Sequence, residues 1–301
     1  MARGSKPAGL LMVVAIAISS IMGLAFMWPE ATYSGGMTFE GTGLSFSSEP
    51  AVVKGAIALL KRHNPRTRVL VSVGGATYTA WDRLNATAIA SFVRQFGLDG
   101  VDVDYEGDGT CWRKSDKMAC TTDAGYTRAV QKLRAALPRP RYLLTTAAWS
   151  IGAYGEGRFA NSLPQGSHTG MSLNMLRVAG KLLDFLFVMS YDAGDKRSPP
   201  GDPTGYDPKE AISAYCTYFP CNRVLAGMQV PPESWGQARM TVPEAQDLGS
   251  WVARRGAGGL MLWSLTKPGN PSPVQLAQAA CRSLNKRGCA VPLSGGVRRG
   301  A

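Results

Sequence analysis

Short β-branched or apolar runs that alternate with stretches of helical periodicity predict an α/β chain folded as a (β/α)8 TIM barrel. Seven runs and seven helical stretches are readable in alternation, the signature of repeated βα units on a parallel sheet. The length, 301 residues with 45% hydrophobic content, suits one barrel and its core, although it permits that fold without selecting it. The third observation is an acidic run, Asp99 to Glu106, in the middle of the series, at a strand end where barrel enzymes build their sites.

Taken in order, strands are expected at 21–26, 69–73, 100–105, 142–148, 185–189, 224–228 and 259–263. Helices are expected between them at 50–63, 87–96, 124–136, 172–183, 208–218, 242–254 and 273–284. Seven strands are one short of a closed barrel. Two long loops, 107–123 and 193–206, follow strand C-termini. The Gly- and Arg-rich tail, 293–301, is expected to be disordered.

The start of the chain carries a conflict. Residues 7–29 hold no charge and follow Arg3 and Lys6, the layout of a signal peptide or a membrane-spanning anchor. Small-x-small cleavage sites end at Ala17 or Ala25. Yet Leu24 to Phe26 are needed as a strand. The division expected is a signal or anchor at 1–22 and a barrel at 23–292, with folding beginning near Ser19 to Gly23 and no regular first βα unit. Either that unit is missing, which leaves two strand edges open, or the apolar start folds in as a makeshift strand.

The formal charge is +12, but Lys and Arg are scattered, with only short clusters such as Arg254-Arg255 and Arg298-Arg299. No nucleic-acid-binding motif accompanies them, so a solvated basic surface is expected and nucleic acid is not a partner. A basic exterior also disfavours a polycationic substrate. The six cysteines fall into three close pairs, Cys111 with Cys120, Cys216 with Cys221 and Cys281 with Cys289. This pattern predicts three short disulfide loops in an oxidising compartment. None is Cys-x-x-Cys and only His63 and His168 could add imidazole, so no metal site is expected. Asn85-Ala86-Thr87 is a glycosylation sequon, informative only in a eukaryotic chain.

In the run Asp99-Gly100-Val101-Asp102-Val103-Asp104-Tyr105-Glu106, side chains alternate, so Asp102, Asp104 and Glu106 share one face and the valines and Tyr105 the other. In a parallel strand covered by helices the valines face the helices and the acids point into the barrel. Three stacked carboxylates raise one another's proton affinity. Glu106, nearest the mouth, is thus the candidate general acid. An EF-hand loop starting at Asp102 is excluded because its twelfth position is Arg113, where a bidentate Glu is required.

The run resembles the Asp-x-x-Asp-x-Asp-x-Glu signature of glycoside hydrolase family 18, the chitinases and their relatives. Other pieces resemble that family in order: Ser72-Val73-Gly74-Gly75, Met189-Ser190-Tyr191-Asp192, and Gly259-Leu260-Met261-Leu262-Trp263. The resemblance implies retaining, substrate-assisted hydrolysis of β-1,4 N-acetylglucosamine linkages in chitin or its oligosaccharides, without cofactor or metal. It implies Glu106 as proton donor, Asp104 as the group that orients the acetamido, and Asp102 beneath it. Tyr191 and Asp192 would contact the N-acetyl site, Trp263 would stack on a sugar, and Met189, Gly74 and Gly75 would line the substrate site. Trp263 could also be barrel filler, and Tyr105 is expected to pack outward. Spacing alone leaves the stereochemistry open, since Asp104 and Glu106 lie about 6.6 Å apart along a strand. A non-catalytic chitin-binding protein and an endo-β-N-acetylglucosaminidase acting on glycoprotein glycans remain alternatives. A secreted or membrane-anchored monomer is expected, with chitin or N-acetylglucosamine oligosaccharides as its partner.

Overall fold

A computed structural model describes residues 13–16, 21–193, 205–234, 238–285 and 289. Eight strands form a closed barrel: β1 (Val13–Ile16), β2 (Ile21–Met27), β3 (Arg68–Gly74), β4 (Gly100–Asp104), β7 (Leu143–Trp149), β8 (Phe185–Met189), β9 (Val224–Gln229) and β10 (Gly259–Trp263). β5 (Cys111–Lys114) and β6 (Lys117–Cys120) form a separate hairpin after β4. Helices α1 (Pro50–His63), α2 (Ala86–Gln95), α3 (Asp123–Ala136), α4 (Leu173–Ala179), α5 (Pro208–Tyr218), α6 (Val242–Arg255) and α7 (Pro273–Ser283) complete the element series. The expected strands and helices recur within one or two residues, except that the helix expected at 172–183 breaks at Gly180 into α4 and a 3-10 turn, Gly180–Leu182. Glycine's backbone freedom disfavours a longer helix there.

The seven readable strands run parallel, and the eighth selects between the two expectations for the start of the chain: the apolar segment folds in as a strand. β1 pairs antiparallel with both β2 and β10, Val14 facing Met22 on one side and Leu262 on the other. Only residues 17–20 separate β1 from β2, too few for a crossover helix, in keeping with their antiparallel pairing. The apolar start therefore contributes a stave at Val13–Ile16. Among the described residues no helix precedes β2. Among the described residues no helix is long and apolar enough to cross a membrane. The expected tail, most of the second long loop and residues 1–12 lie outside the described residues.

Two apolar shells hold the barrel. The larger lies between sheet and helices and takes Val101, Val103 and Tyr105 from β4 and its end. Tyr105 stacks between Trp81 and Tyr126, with ring centroids 4.8 and 4.7 Å away, so it packs outward. The smaller shell fills the barrel interior with Ile21, Leu70, Phe187, Tyr191, Leu225 and Met261. At the N-terminal end of the strands Asp184 binds Arg134, Arg139 and the backbone N–H of Leu144. Arg134 also donates to the carbonyls of Leu182, Leu137 and Tyr142. These contacts tie α3 to β7 and β8 on the face opposite the strand C-termini. All three cysteine pairs are disulfides, and Cys111–Cys120 bridges directly opposed residues of the β5–β6 hairpin.

Candidate active site

Strand register sets the site. Ser72, Asp102 and Thr145 stand in one row across β3, β4 and β7, and Gly74, Asp104 and Ala147 form the next row toward the mouth. The lower row is a hydrogen-bonded triplet. The Ser72 hydroxyl donates to Asp102 Oδ2 at 3.0 Å and the Thr145 hydroxyl to Oδ1 at 2.5 Å. Asp102 is buried, and burial pushes its carboxyl up to about 6 while the two hydroxyls oppose that rise.

Asp104, in the row above, is also buried, and among the described residues its Oδ1 has no hydrogen-bond partner. Burial first, then the charges of Glu106 and Asp102, push its carboxyl well above the usual range. Glu106 lies just past the strand end and is half-buried. Its proton affinity is raised by burial, lowered by a hydrogen bond from the Ala76 backbone, and raised by Asp192. Glycine is required beside this row. Gly74 has φ +101°, and a Cβ there would lie 2.2 Å from the Asp104 carbonyl oxygen. The Gly75 N–H donates to that same oxygen at 2.8 Å.

These groups face a cavity of about 280 Å3 whose walls include Phe26, Met189, Tyr191, Asp192, Gln229 and Trp263, together with Gly74 and Gly75. All nine residues singled out in the sequence therefore converge on one cavity. Tyr191 is buried, and burial followed by the charges of Asp104, Asp192, Glu106 and Asp102 raises its hydroxyl far above the usual range, so it stays a donor. Trp263 forms one wall, its ring centroid 5.6 Å from that of Phe26. Phe26 reaches the interior because β2 shifts register between Gly23 and Phe26. Strict alternation from Ile21 would have turned it outward.

Sequence reasoning missed the support on the β9 side. Asp192 holds a left-handed backbone, φ 51°, which a non-glycine residue adopts only when its surroundings fix it. The Glu233 carboxylate accepts the Asp192 N–H at 2.8 Å, and the Gln229 amide donates to Asp192 Oδ2 at 2.8 Å. Gln229 Oε1 accepts in turn from the Ser234 N–H at 3.0 Å and from Lys267 Nζ at 3.3 Å. Gln229 and Glu233 are buried. Burial lowers the Lys267 ammonium, while Asp192 and Glu233 oppose that fall. Gln229 sits at the C-terminal end of its strand, one residue past the run read from the sequence, and that position was the signal available. Thr145 was legible only through its register with Asp102.

The arrangement combines a carboxyl of raised proton affinity at the mouth, two deeper carboxyls whose proton affinity is also raised, a phenol donor and an indole wall. It suits protonation of a leaving group on a ring seated against Trp263. The family model for glycosyl hydrolases family 18 matches residues 37–215, more than half of the chain. Chitinase A1 of Niallia circulans is 28% identical over 168 residues, 50% of this chain and 22% of that protein. Nod factor hydrolase protein 1 of Medicago truncatula is 30% identical over 195 residues, 58% of this chain and 47% of that protein. The chain thus spans about half or less of the length of these curated relatives. Among solved structures, a GH18 chitinase from Pseudoalteromonas aurantia superposes with a TM-score of 0.58 at 24% identity, covering 88% of this chain and 92% of that one. Human YKL-39, described as a pseudo-chitinase that retains chitooligosaccharide binding, superposes at 0.55 with 15% identity over 78% of this chain and 85% of its own. The motif-bearing strands, the barrel they build and the family match all lead to one assignment: the chain belongs to glycosyl hydrolases family 18.

Proposed function

We propose that this chain hydrolyses β-1,4 N-acetylglucosamine linkages in chitin or its oligosaccharides by a retaining, substrate-assisted route. The observation that carries the proposal is the unpartnered Oδ1 of Asp104 beside Glu106 in the cavity. A buried carboxyl oxygen with no partner costs free energy unless a ligand supplies one, and an acetamido N–H is such a donor. Glu106 gives its proton to the glycosidic oxygen as the C1–O bond breaks. The acetamido oxygen bonds to C1 from the opposite face, and Asp104 orients and stabilises the oxazolinium that forms. Asp102 holds charge below it, and the Tyr191 hydroxyl donates to the same acetamido oxygen. Water then bonds to C1 as the bond from C1 to the acetamido oxygen breaks, and it gives a proton to the Glu106 carboxylate, which restores the acid, the acetamido group and the original anomeric configuration. The family's route stands outside the scheme of two carboxylates acting as acid and nucleophile.

Family membership and the three disulfides also support action in an oxidising, extracellular setting. The deciding experiment is hydrolysis of a soluble chito-oligosaccharide, with the anomer of the first product followed by NMR. Glu106→Gln should lower turnover about 10²–10⁴-fold and keep oligosaccharide binding. More than about a tenth of normal turnover in that variant would remove Glu106 from the role. An α-anomer as first product would overturn retention. Binding without any hydrolysis by the unaltered chain would make it a chitin-binding protein.

A further inference from the structure

An amide side chain presents an oxygen and a nitrogen of nearly the same size, and its neighbours decide which way it points. Gln229 stands in the cavity wall at the end of β9, between Asp192 and the loops that follow β9 and β10. The Ser234 N–H and the Lys267 ammonium can only donate, and both meet its Oε1, at 3.0 and 3.3 Å. The Asp192 carboxylate can only accept, and the amide nitrogen meets its Oδ2 at 2.8 Å. Turned over, Gln229 would set an oxygen against a carboxylate and its two N–H bonds against an ammonium. The neighbours therefore fix one orientation, with the positive end of the amide toward Asp192.

Lys267 stands behind this wall. It follows Trp263 by four residues, its N–H donates to the Ser264 carbonyl at 3.2 Å, and its ammonium also donates to the Pro232 carbonyl. One cation thus joins the loop after β10 to the loop after β9 and to the cavity wall. The side chain is partly exposed and is not among the residues that line the cavity. The charged groups around Asp192 are Glu233, whose carboxylate accepts the Asp192 N–H, then Lys267, and on the cavity side Asp104 and Glu106. Asp192 in turn raises the proton affinity of Glu106. That influence depends on where the Asp192 carboxylate sits, because Coulomb energy falls with distance.

We propose that Lys267 is a positioning residue: from outside the cavity it fixes the Gln229 amide, and through that amide it holds the Asp192 carboxylate where it bears on Glu106. The proposal rests on Glu106 as the acid of the reaction proposed above. It extends the machinery to a loop residue that touches neither the sugar nor the acid.

The test measures kcat/KM of the full chain on a soluble chito-oligosaccharide against pH, where the alkaline limb reports the essential acid of the free enzyme. Lys267→Met should lower kcat/KM about three- to tenfold, as loss of one hydrogen bond implies, and should move the alkaline limb to lower pH. The sign discriminates. Removing a cation without moving Asp192 would raise the proton affinity of Glu106 and shift the limb to higher pH. Lys267→Arg should restore most of both the rate and the profile. Gln229→Met should move the limb in the same direction as Lys267→Met, and combining the two should lower kcat/KM less than about twofold further, since residues that act as one are not additive. Rates are compared below the thermal melting midpoint of every variant, so that a folding defect is not counted. An unchanged profile in Lys267→Met, a limb that moves up, or losses that multiply overturns the positioning role and leaves the hydrolase standing. No hydrolysis by the unaltered chain overturns both.

Discussion

Asp102 is held in the fold at a cost that an isosteric change should release. The structure buries it beneath Asp104 and pushes its carboxyl from 3.8 to about 6. A carboxyl whose folded value lies above its unfolded value makes the folded state bind protons more tightly. Its stabilising contribution is therefore complete below about pH 3.8, is lost as pH rises to about 6, and stays lost above that. At ~1.4 kcal/mol per tenfold change in proton affinity, that interval amounts to about 3 kcal/mol at pH 7. Asp102→Asn keeps the shape, removes the charge and can still accept from Thr145 or Ser72. The expected outcome is a variant about 3 kcal/mol more stable than the unaltered chain at pH 7 and about equal to it near pH 4. Urea unfolding of both proteins at intervals from pH 4 to pH 8, disulfides intact, measures this difference; the titration of distant groups cancels, and that of Asp104, which the Asp102 charge also raises, adds to it in the same direction. A difference that does not change with pH would refute the reasoning. So would an Asn variant that is less stable at pH 7 than at pH 4, relative to its parent. The same variant should lose turnover, because the charge below Asp104 is then absent.

Glu233→Ala leaves the Asp192 N–H without this buried acceptor and should cut kcat on a chito-oligosaccharide about tenfold, whereas Glu233→Gln, which keeps an acceptor oxygen, should stay within about threefold. If both variants behave alike, the Asp192 backbone is not what Glu233 controls. Gly74→Ala places a methyl 2.2 Å from the Asp104 carbonyl in a left-handed conformation, so both thermal stability and turnover should fall together. Retention of both would mean the two strands separate more easily than the register implies. Arg134→Met removes one of the two cations paired with the largely buried Asp184, leaving Arg139 and the Leu144 N–H, and takes a donor from three carbonyls, so it should lower the unfolding free energy by about 1–3 kcal/mol, with kcat of the folded fraction unchanged.

The parallel part of the fold was legible because each strand is a short apolar run bounded by turn residues, and period and length separate it from its helices. The acids of β4 were legible for the same reason, since alternation alone assigns Asp102, Asp104 and Glu106 to one face. Alternation failed at Phe26, where the bulge in β2 reverses the face and nothing in the local sequence announces it. It failed again at Val13–Ile16, where a four-residue run inside a longer apolar stretch carries no mark distinguishing a barrel strand from a signal or anchor segment. The Glu233–Asp192–Gln229 contacts join residues from β9, its following loop and the end of β8. Such contacts arise from closure of the barrel and have no local periodicity to betray them.

The antiparallel stave also fixes an order of events during synthesis. β1 emerges first and can pair at once with β2, a hairpin that forms in about 1–10 μs. Its other neighbour is β10, close to the opposite end of the described chain. At ~5–20 residues per second, the ribosome needs tens of seconds to deliver that partner. For that whole interval the outer edge of β1 presents unpaired backbone donors and acceptors to the cell, an open template for any stray strand. The junction that completes the barrel is thus the one kept waiting longest, and whatever guards it during synthesis governs how much of the protein closes correctly.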